Sequence, residues 1–350
     1  MALPLVTADL PGSGGTVRAV PEDFRVDEVP AYLPSGAGPH LYLRVEKRGR
    51  TTRDAVRALS RALAVAERDV GFAGMKDKQA VTTQWLSFPV AHDPDPAALS
   101  EPGLRVLGVS RHANKLRTGH VRANVFSIRV RGGDASRARA AAVALEERGL
   151  PNFFGPQRFG AEGRNAEVGR GLLTGDGSAE VRRASRDRFL RRLSISAFQA
   201  LLFNRWLAER VADGLFAAAV RGDVMKKLDS GGLFVCEDPA ADGPRVARFE
   251  ISPAGPMFGH KLRPAAHDAL AREERVLAAE GIALADFARG GGEAEGTRRA
   301  ARLRVEVAVE PLEAGGGYRA AVELPKGSYA TVVLRELTKA DAAVGEGDEA

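Results

Sequence analysis

The chain has 350 residues, of which 44% are hydrophobic and 27% are charged, as in an ordinary globular protein of about two domains. No apolar run approaches the roughly 18 residues of a membrane span, and the single cysteine, Cys236, excludes an internal disulfide framework and a cysteine-rich zinc site. The six histidines lack the HxxxH and HExxH spacings of helical metal sites. We therefore expect a cytoplasmic protein without a metal ion.

The charge is uneven along the chain. Lys and Arg number 51 against 45 Asp and Glu, and 42 of the 51 are Arg. Residues 101–200 hold 19 basic and 9 acidic residues, a net charge of +10. Because Arg makes planar, bidentate contacts with phosphate, this basic middle segment favours a nucleic-acid partner. An Arg-rich composition can also reflect a GC-rich genome, so charge alone leaves both explanations open.

The first part of the chain predicts strands around one clear helix. Residues 40–47 alternate between apolar and polar, which is typical of a half-buried strand. Thr51 or Thr52 can cap a helix that carries Val56, Leu59 and Leu63 on one face. Two further strands and a helix capped by Asp134 are predicted at 85–90, 121–130 and 134–149.

The predicted secondary structure changes after residue 150. Helical segments dominate, notably 194–212, and the Gly- and Pro-rich stretch 238–244 predicts a loop. Alternation returns over 303–310, and 318–324 can pair with it as a hairpin. The order favours an α+β domain formed by 1–149 and 303–340, an inserted domain at 150–302, and an acidic tail at 341–350.

The most informative motif runs from Phe72 to Trp85 and presents Asp77 between Lys76 and Lys78, just before a strand. A carboxylate beside two cations keeps its charge, so Asp77 could act as a nucleophile or as a general base. A Lys-Asp-Lys sequence is also common in solvated turns, and the motif alone does not separate the two interpretations.

Several other segments suit RNA. Between 114 and 126, the side chains of Lys115, Arg117 and Arg122 could follow a phosphate backbone, and Phe126 is either a core aromatic or a platform for a base. Residues 151–160 hold three Phe and Arg158 in a structured loop, which is either a packed joint or a further RNA-backbone contact. Near the end of the chain, Ser328 can cap a final helix with Tyr329 at its start.

Taken in order, these segments resemble the TruD-type tRNA pseudouridine synthases over nearly the whole chain. The combination of Gly-x-Lys-Asp-Lys and Asn-Phe-Phe-Gly-x-Gln-Arg-Phe-Gly is specific to that family. The segments that carry the resemblance are 21–24, 47–52, 72–85, 115–117, 124–126, 152–160, 196–204 and 324–337.

The resemblance implies a fold and a reaction. The fold would be a pseudouridine synthase catalytic domain, a mixed and largely antiparallel sheet with helices, interrupted by an inserted α/β TRUD domain. The reaction would isomerise a uridine of tRNA, in this family typically uridine 13, and the family's catalytic aspartate falls on Asp77. Positions near the target base fall on Phe24, Asn124, Phe126 and Tyr329, with Arg18 and Lys76 as basic neighbours.

The chain departs from the family pattern at three positions near the target base. The family often has Lys in place of Arg18, Gly in place of Ala123 and Phe in place of Tyr329. None of these changes alters the aspartate, so they bear on fine specificity rather than on the reaction.

The chemistry sets further expectations. Pseudouridine formation transfers no electrons and cuts no phosphate, so we expect no cofactor and no metal. The target base would be flipped out of the RNA into a cleft between the two domains. Asp77 would either attack C1′ or remove the C2′ proton, and the sequence does not choose between them. We expect tRNA as the partner, no membrane, no obligate protein partner and a monomer.

Two other functions stay open on the sequence. One is an RNA-binding protein that keeps the scaffold without turnover. The other is a hydrolytic N-glycosidase. Such an enzyme usually requires a second carboxylate or a positioned water molecule, and these motifs carry no paired acids.

Overall fold

The computed structural model describes residues 3–313 and 316–340, so the predicted acidic tail at 341–350 lies outside the described residues. Within those ranges no helix combines the length and the apolar character needed to cross a bilayer. The strands are β1 (Phe24–Pro30), β2 (His40–Arg48), β3 (Gly71–Phe72), β4 (Val81–Phe88), β5 (Leu104–His112), β6 (Val121–Arg131), β7 (Leu150–Pro151), β8 (Val224–Lys227), β9 (Leu233–Val235), β10 (Ile251–Met257), β11 (Thr297–Ala300), β12 (Arg302–Leu303), β13 (Val307–Pro311) and β14 (Gly317–Pro325). The helices are α1 (Thr52–Ala62), α2 (Ala135–Arg148), α3 (Arg164–Thr174), α4 (Ala179–Arg186), α5 (Arg188–Ala212), α6 (Pro239–Ala247), α7 (His267–Ala279) and α8 (Ala330–Thr338).

The described residues form two compact units. One, the sheet unit, comprises 10–143, 305–330 except 314 and 315, and 337–340. The other, the helical unit, comprises 3–9, 144–304 and 331–336.

The sheet unit is built on a sheet with the strand order β13-β14-β6-β1-β4-β2-β5, to which β3 is added beside β4. Only β1 and β4 pair in parallel within this sheet as described, and the other neighbours are antiparallel. This arrangement confirms the expected mixed, largely antiparallel sheet.

Helix α1 covers one face of this sheet. Thr51 caps it as predicted, because its hydroxyl accepts a hydrogen bond from the Asp54 N–H at 3.1 Å. Val56 and Leu59 pack on Leu41 and Leu43 of β2 in a buried apolar cluster. The opposite face of β2 is covered at Tyr42, whose ring packs in a second cluster, whereas Arg44 on that face is exposed. The prediction of a half-buried strand was therefore wrong about Tyr42.

The helical unit contains the predicted helix over 194–212, which begins earlier, at Arg188 in α5, because the Asp187 carboxylate caps it there. Helices α3 and α5 approach closely at Gly169, where a Cβ atom would lie 2.0 Å from the Ser194 carbonyl oxygen. A four-stranded sheet of order β11-β10-β8-β9 completes the unit.

Two predicted segments differ from the structure. Residues 238–244, predicted as a loop, enter helix α6, because Asp238 caps its first turn and Pro239 suits the first helical position. The predicted strand 303–310 is two strands, since β12 pairs with β7 and β13 pairs with β14.

Candidate active site

The loop between β3 and β4 carries Lys76 and Asp77 and is held by buried polar side chains. The Lys76 N–H donates to the Thr52 hydroxyl at 2.8 Å, and that hydroxyl donates to Gln84 Oε1 at 2.9 Å. Thr52 opens helix α1 and Gln84 lies on β4. The loop is therefore tied to both elements that flank it.

The buried ammonium group of Lys47 fixes the same loop through hydrogen bonds to its backbone. The Lys47 side chain is completely buried, and its Nζ donates to the carbonyl oxygens of Arg50 at 2.6 Å, Lys76 at 3.0 Å and Asp77 at 2.5 Å. Burying a charge is costly unless it is hydrogen-bonded, so this position is built to fix the backbone around Asp77.

The Asp77 carboxylate is oriented at both oxygen atoms. Oδ2 lies 2.8 Å from Nη2 of Arg18, and Oδ1 accepts a hydrogen bond from the Gln79 N–H at 3.0 Å. The side chain keeps 18% of its surface exposed, whereas the Arg18 side chain keeps 6%. The pair therefore presents a fixed carboxylate that a ligand can still reach.

Arg18 adopts an uncommon backbone conformation. Its φ of 62° lies in the left-handed region, which costs a residue with a Cβ about 1 kcal/mol. The guanidinium carbon lies 4.3 Å from the centroid of the Phe24 ring, in cation–π geometry. Contacts with Asp77 and Phe24 thus offset the backbone strain and fix the side chain.

The segment that carries Arg18 and Phe24 is fixed by Arg131. The Arg131 guanidinium donates to Asp23 at 2.7 and 2.8 Å, and its backbone pairs with Thr16. Burial alone would raise the pKa of the Asp23 carboxyl, but hydrogen bonds from Arg131 and from the Val20 N–H bring that pKa below its usual value.

Strands β1 and β6 form the floor of the site. The register pairs Glu28 with Asn124 and Val26 with Phe126, so these four residues share one face of the sheet with Phe24. The Phe24 and Phe126 rings meet edge to face with centroids 6.0 Å apart.

Lys76 and Asn124 complete this face. The Lys76 ammonium lies 2.7 Å from the fully buried Glu28 carboxylate, which lies opposite Asn124 across the strands. Asn124 Oδ1 is buried and has no hydrogen-bond partner within the described part of the chain. The contacts therefore place Arg18, Lys76 and Asp77, which lie in loops, beside the sheet face that carries Phe24, Asn124 and Phe126.

Tyr329 lies near the end of the same floor. Strand β14 pairs with β6 so that Leu324 faces Asn124, and Tyr329 follows the end of β14 by four residues, just before α8. Its side chain is half-buried. This position agrees with the predicted place of Tyr329 at the start of the last helix.

Comparison with known proteins identifies the family. The family model described as tRNA pseudouridine synthase D (TruD) matches residues 2–187 and 183–337. A protein of that name from Anaeromyxobacter sp. (strain Fw109-5) is 79% identical over 346 residues, or 99% of each chain.

The chain belongs to the tRNA pseudouridine synthase D family.

More distant relatives agree with this assignment. A protein of the same name from Thermus thermophilus is 45% identical over 347 residues, covering 97% of this chain and 93% of the relative. The solved structure named for tRNA pseudouridine synthase D from Methanosarcina mazei superposes with a TM-score of 0.76 at 24% identity, covering 98% of each chain. The likeness confirms the predicted fold class.

The predicted RNA-backbone residues fall in different places. Lys115 and Arg117 lie in the turn before β6, and Arg122 is the second residue of that strand, with its guanidinium 3.0 Å from the Glu323 carboxylate. Arg158 belongs to the helical unit, where its guanidinium lies 5.8 Å from the Phe154 ring centroid. Arg122 is thus partly neutralised, while Lys115 and Arg117 share one turn.

Sequence reasoning missed several residues that hold the site. Lys47 and Thr52 lie at the ends of the motif 47–52, so a signal was present, but their contacts with the Asp77 loop join residues more than twenty positions apart. Glu28 gave no signal in the sequence, and strand β1, on which it lies, was not predicted either.

Proposed function

We propose that this protein isomerises uridine to pseudouridine in tRNA, at position 13, with Asp77 as the reacting carboxylate. The observation that carries the proposal is the fixed but accessible Asp77 carboxylate, paired with Arg18 at 2.8 Å beside an aromatic floor. Membership of the tRNA pseudouridine synthase D family supports the same reaction and the same substrate class. Position 13 follows from the resemblance of the motifs.

The reaction needs one carboxylate near the ribose. The C1′–N1 bond breaks, the uracil turns, and a C1′–C5 bond forms. C5 then loses its hydrogen as a proton, and the released N1 takes up a proton from water. Substrate and product therefore have the same composition, so the reaction requires no redox partner. Asp77 acts either by attacking C1′ or by removing the C2′ proton to give a glycal. A primary isotope effect from deuterium at C2′ distinguishes the second route from the first.

The floor of the site suits a uracil ring. The half-buried Tyr329 would offer aromatic surface for stacking, which contributes about 1–3 kcal/mol per base. Phe126 is only 9% exposed, so it would contact the base through the small part of its ring that is not buried. Asn124 Oδ1 is buried and lacks a hydrogen-bond partner among the described residues, and it would accept the N3–H of uracil. These contacts would repay the few kcal/mol needed to flip the base out of its stack, and would retain the free base while it turns.

Arg18 and Lys76 take different roles in this proposal. Arg18 positions the Asp77 carboxylate directly, whereas Lys76 pairs with Glu28 and thereby fixes the loop above Asn124. The Phe24 ring contacts the Arg18 guanidinium in cation–π geometry and so helps to fix it. We propose Phe24, Lys76 and Arg18 as residues that shape the base pocket around Asp77.

The remaining expectations are kept as proposals. Lys115, Arg117, Arg122 and Arg158 would contact the RNA backbone through their charges. The domain limits at 150 and 302, the monomeric state, a cytoplasmic location and the lack of a cofactor stay predictions. Among the described residues, no group of three or more His, Cys, Asp and Glu is arranged to hold a metal ion.

The proposal is tested with tRNA transcripts labelled with tritium at uridine C5. The wild-type protein should release tritium to water, yield no free uracil, and produce pseudouridine at position 13. Free uracil in place of pseudouridine would instead indicate an N-glycosidase. Tight RNA binding with no tritium release from any tRNA would indicate a binding protein, and either result would overturn the proposal.

A further inference from the structure

A second pocket lies in the sheet unit, beside the Asp77 loop. It is an open pocket of about 520 Å³, a size in the range that small-molecule ligands occupy. The loop after β1 forms one side, and the end of β5 with the following turn forms the other. Its polar and aromatic lining consists of Tyr32, His112, Asn114, Lys115, Arg117 and His120, which we call the Tyr32 pocket.

The aromatic wall of the Tyr32 pocket is fixed in advance. The Tyr32 ring stacks on His112 with centroids 5.0 Å apart and an angle of 27°, and its hydroxyl lies 2.7 Å from His120 Nδ1. Behind it, Tyr42 contacts the His112 ring edge to face at 5.3 Å and donates to the Asn114 carbonyl at 2.8 Å. A ring held on several sides loses little freedom when a ligand stacks on it.

The rim of the pocket is positively charged. Lys115 Nζ donates to the Arg68 carbonyl at 3.0 Å, which orients the ammonium without neutralising it. Among the described residues, neither Lys115 nor Arg117 forms an ion pair with a carboxylate, and no carboxylate lines the pocket. The pocket therefore favours an anionic ligand with an aromatic part.

The turn that carries Arg117 and His120 is hydrogen-bonded to the start of the Asp77 loop and to β4. The Gly119 N–H donates to the Ala73 carbonyl at 2.8 Å, four residues before Asp77. The Leu116 N–H donates to the Ser87 hydroxyl of β4 at 2.9 Å. A ligand in the Tyr32 pocket would thus sit next to the loop that carries the reacting carboxylate.

We propose that the Tyr32 pocket binds a second nucleotide of the RNA substrate, one other than the uridine that reacts. The base of that nucleotide packs on the Tyr32 and His112 wall, and its phosphate binds Lys115 and Arg117. Aromatic side chains beside cations are the usual means by which proteins hold unpaired nucleotides. This inference rests on the proposed function and adds a second anchor that sets which uridine reaches Asp77.

Three variants test the proposal. Arg117→Ala removes an exposed cation and should raise Kd and KM for the tRNA about fivefold, the range of an exposed charge pair. It should also lower the slope of log Kd against log salt by about one. Tyr32→Ala should raise Kd about tenfold, whereas Tyr32→Phe, which keeps the ring, should stay close to wild type.

Arg61→Ala provides the matched control, because Arg61 is exposed in the last turn of α1 and lies outside the pocket. Filter binding and steady-state kinetics on the full chain give both constants, and circular dichroism verifies folding. Unchanged Kd and salt slope in Arg117→Ala would overturn the proposal. It would also be overturned if the wild-type pocket bound a free nucleoside monophosphate while the Arg117 and Tyr32 variants kept the wild-type Kd for RNA. Because wild-type turnover is measured in the same assay, failure of the proposed isomerase activity would be seen separately.

Discussion

Replacing Lys47 with Met tests whether the buried ammonium group fixes the Asp77 loop. The variant keeps the length of the side chain but leaves the carbonyl oxygens of Arg50, Lys76 and Asp77 without this donor. An unsatisfied buried acceptor costs about 1–3 kcal/mol, so three of them would cost about 3–9 kcal/mol. Because Lys76 and Asp77 are only partly buried, water can replace some of these hydrogen bonds, and we therefore expect a loss near 3 kcal/mol in the free energy of unfolding.

The same change should impair catalysis. A displacement of the Asp77 backbone by about 1 Å can cost about a hundredfold in rate, so we expect kcat to fall at least tenfold. Urea denaturation measures the free energy of unfolding, and tritium release from C5-labelled tRNA measures the rate. Lys227→Met is the control, since Lys227 is exposed at the end of β8 in the helical unit, whereas the Asp77 loop belongs to the sheet unit. A Lys47→Met protein within 1 kcal/mol and threefold of wild type would refute the reasoning.

Three further predictions concern other parts of the protein. Arg18→Ala should lower kcat/KM at least tenfold, because Asp77 loses its partner at 2.8 Å, while Arg18→Lys should keep most of the activity; steady-state kinetics measure both. The pKa of Asp23 lies below its usual value, since its hydrogen bonds from Arg131 outweigh its burial. Its contribution to stability is therefore complete above about pH 4 and is lost as the pH falls. Asp23→Asn should thus weaken the decrease in the free energy of unfolding below about pH 4, as urea denaturation at a series of pH values would show. Burial raises the pKa of Cys236 to about 12, so the thiol should react with iodoacetamide at pH 8 only after the protein is unfolded, as mass spectrometry would show.

Local signals predicted much of the fold. Asp134 precedes α2 and accepts hydrogen bonds from the Ser136 and Arg137 N–H groups, as a capping aspartate should. The stretch 238–244 was wrongly predicted as a loop because Pro and Gly usually break helices. Pro239 stands in the first turn, which suits Pro, but Pro244 lies inside the helix, which no signal in the sequence predicted. The alternation over 303–310 gave no sign that β12 and β13 pair with different strands, because pairing is decided by distant residues.

The candidate site was likewise predictable from the sequence only in part. The sequence indicated Asp77 from its flanking cations and its turn, and the resemblance supplied Arg18, Phe24 and Asn124. The support beneath them could not be read from the sequence, because Lys47 acts through backbone carbonyls up to thirty positions away. Glu28 was missed for a related reason, since a buried acid on a strand gains meaning only once Lys76 is seen beside it.

The central claim is that Asp77 is the reacting carboxylate, and a single-turnover experiment with Asp77→Asn tests it most directly. The change is nearly isosteric, and Asp69→Asn serves as the control because Asp69 is exposed in the same unit. We predict that Asp77→Asn forms no pseudouridine in a C5-tritium tRNA at excess enzyme, while its Kd for the tRNA stays within about threefold of wild type and Asp69→Asn retains full activity. Appreciable tritium release by Asp77→Asn would contradict the account.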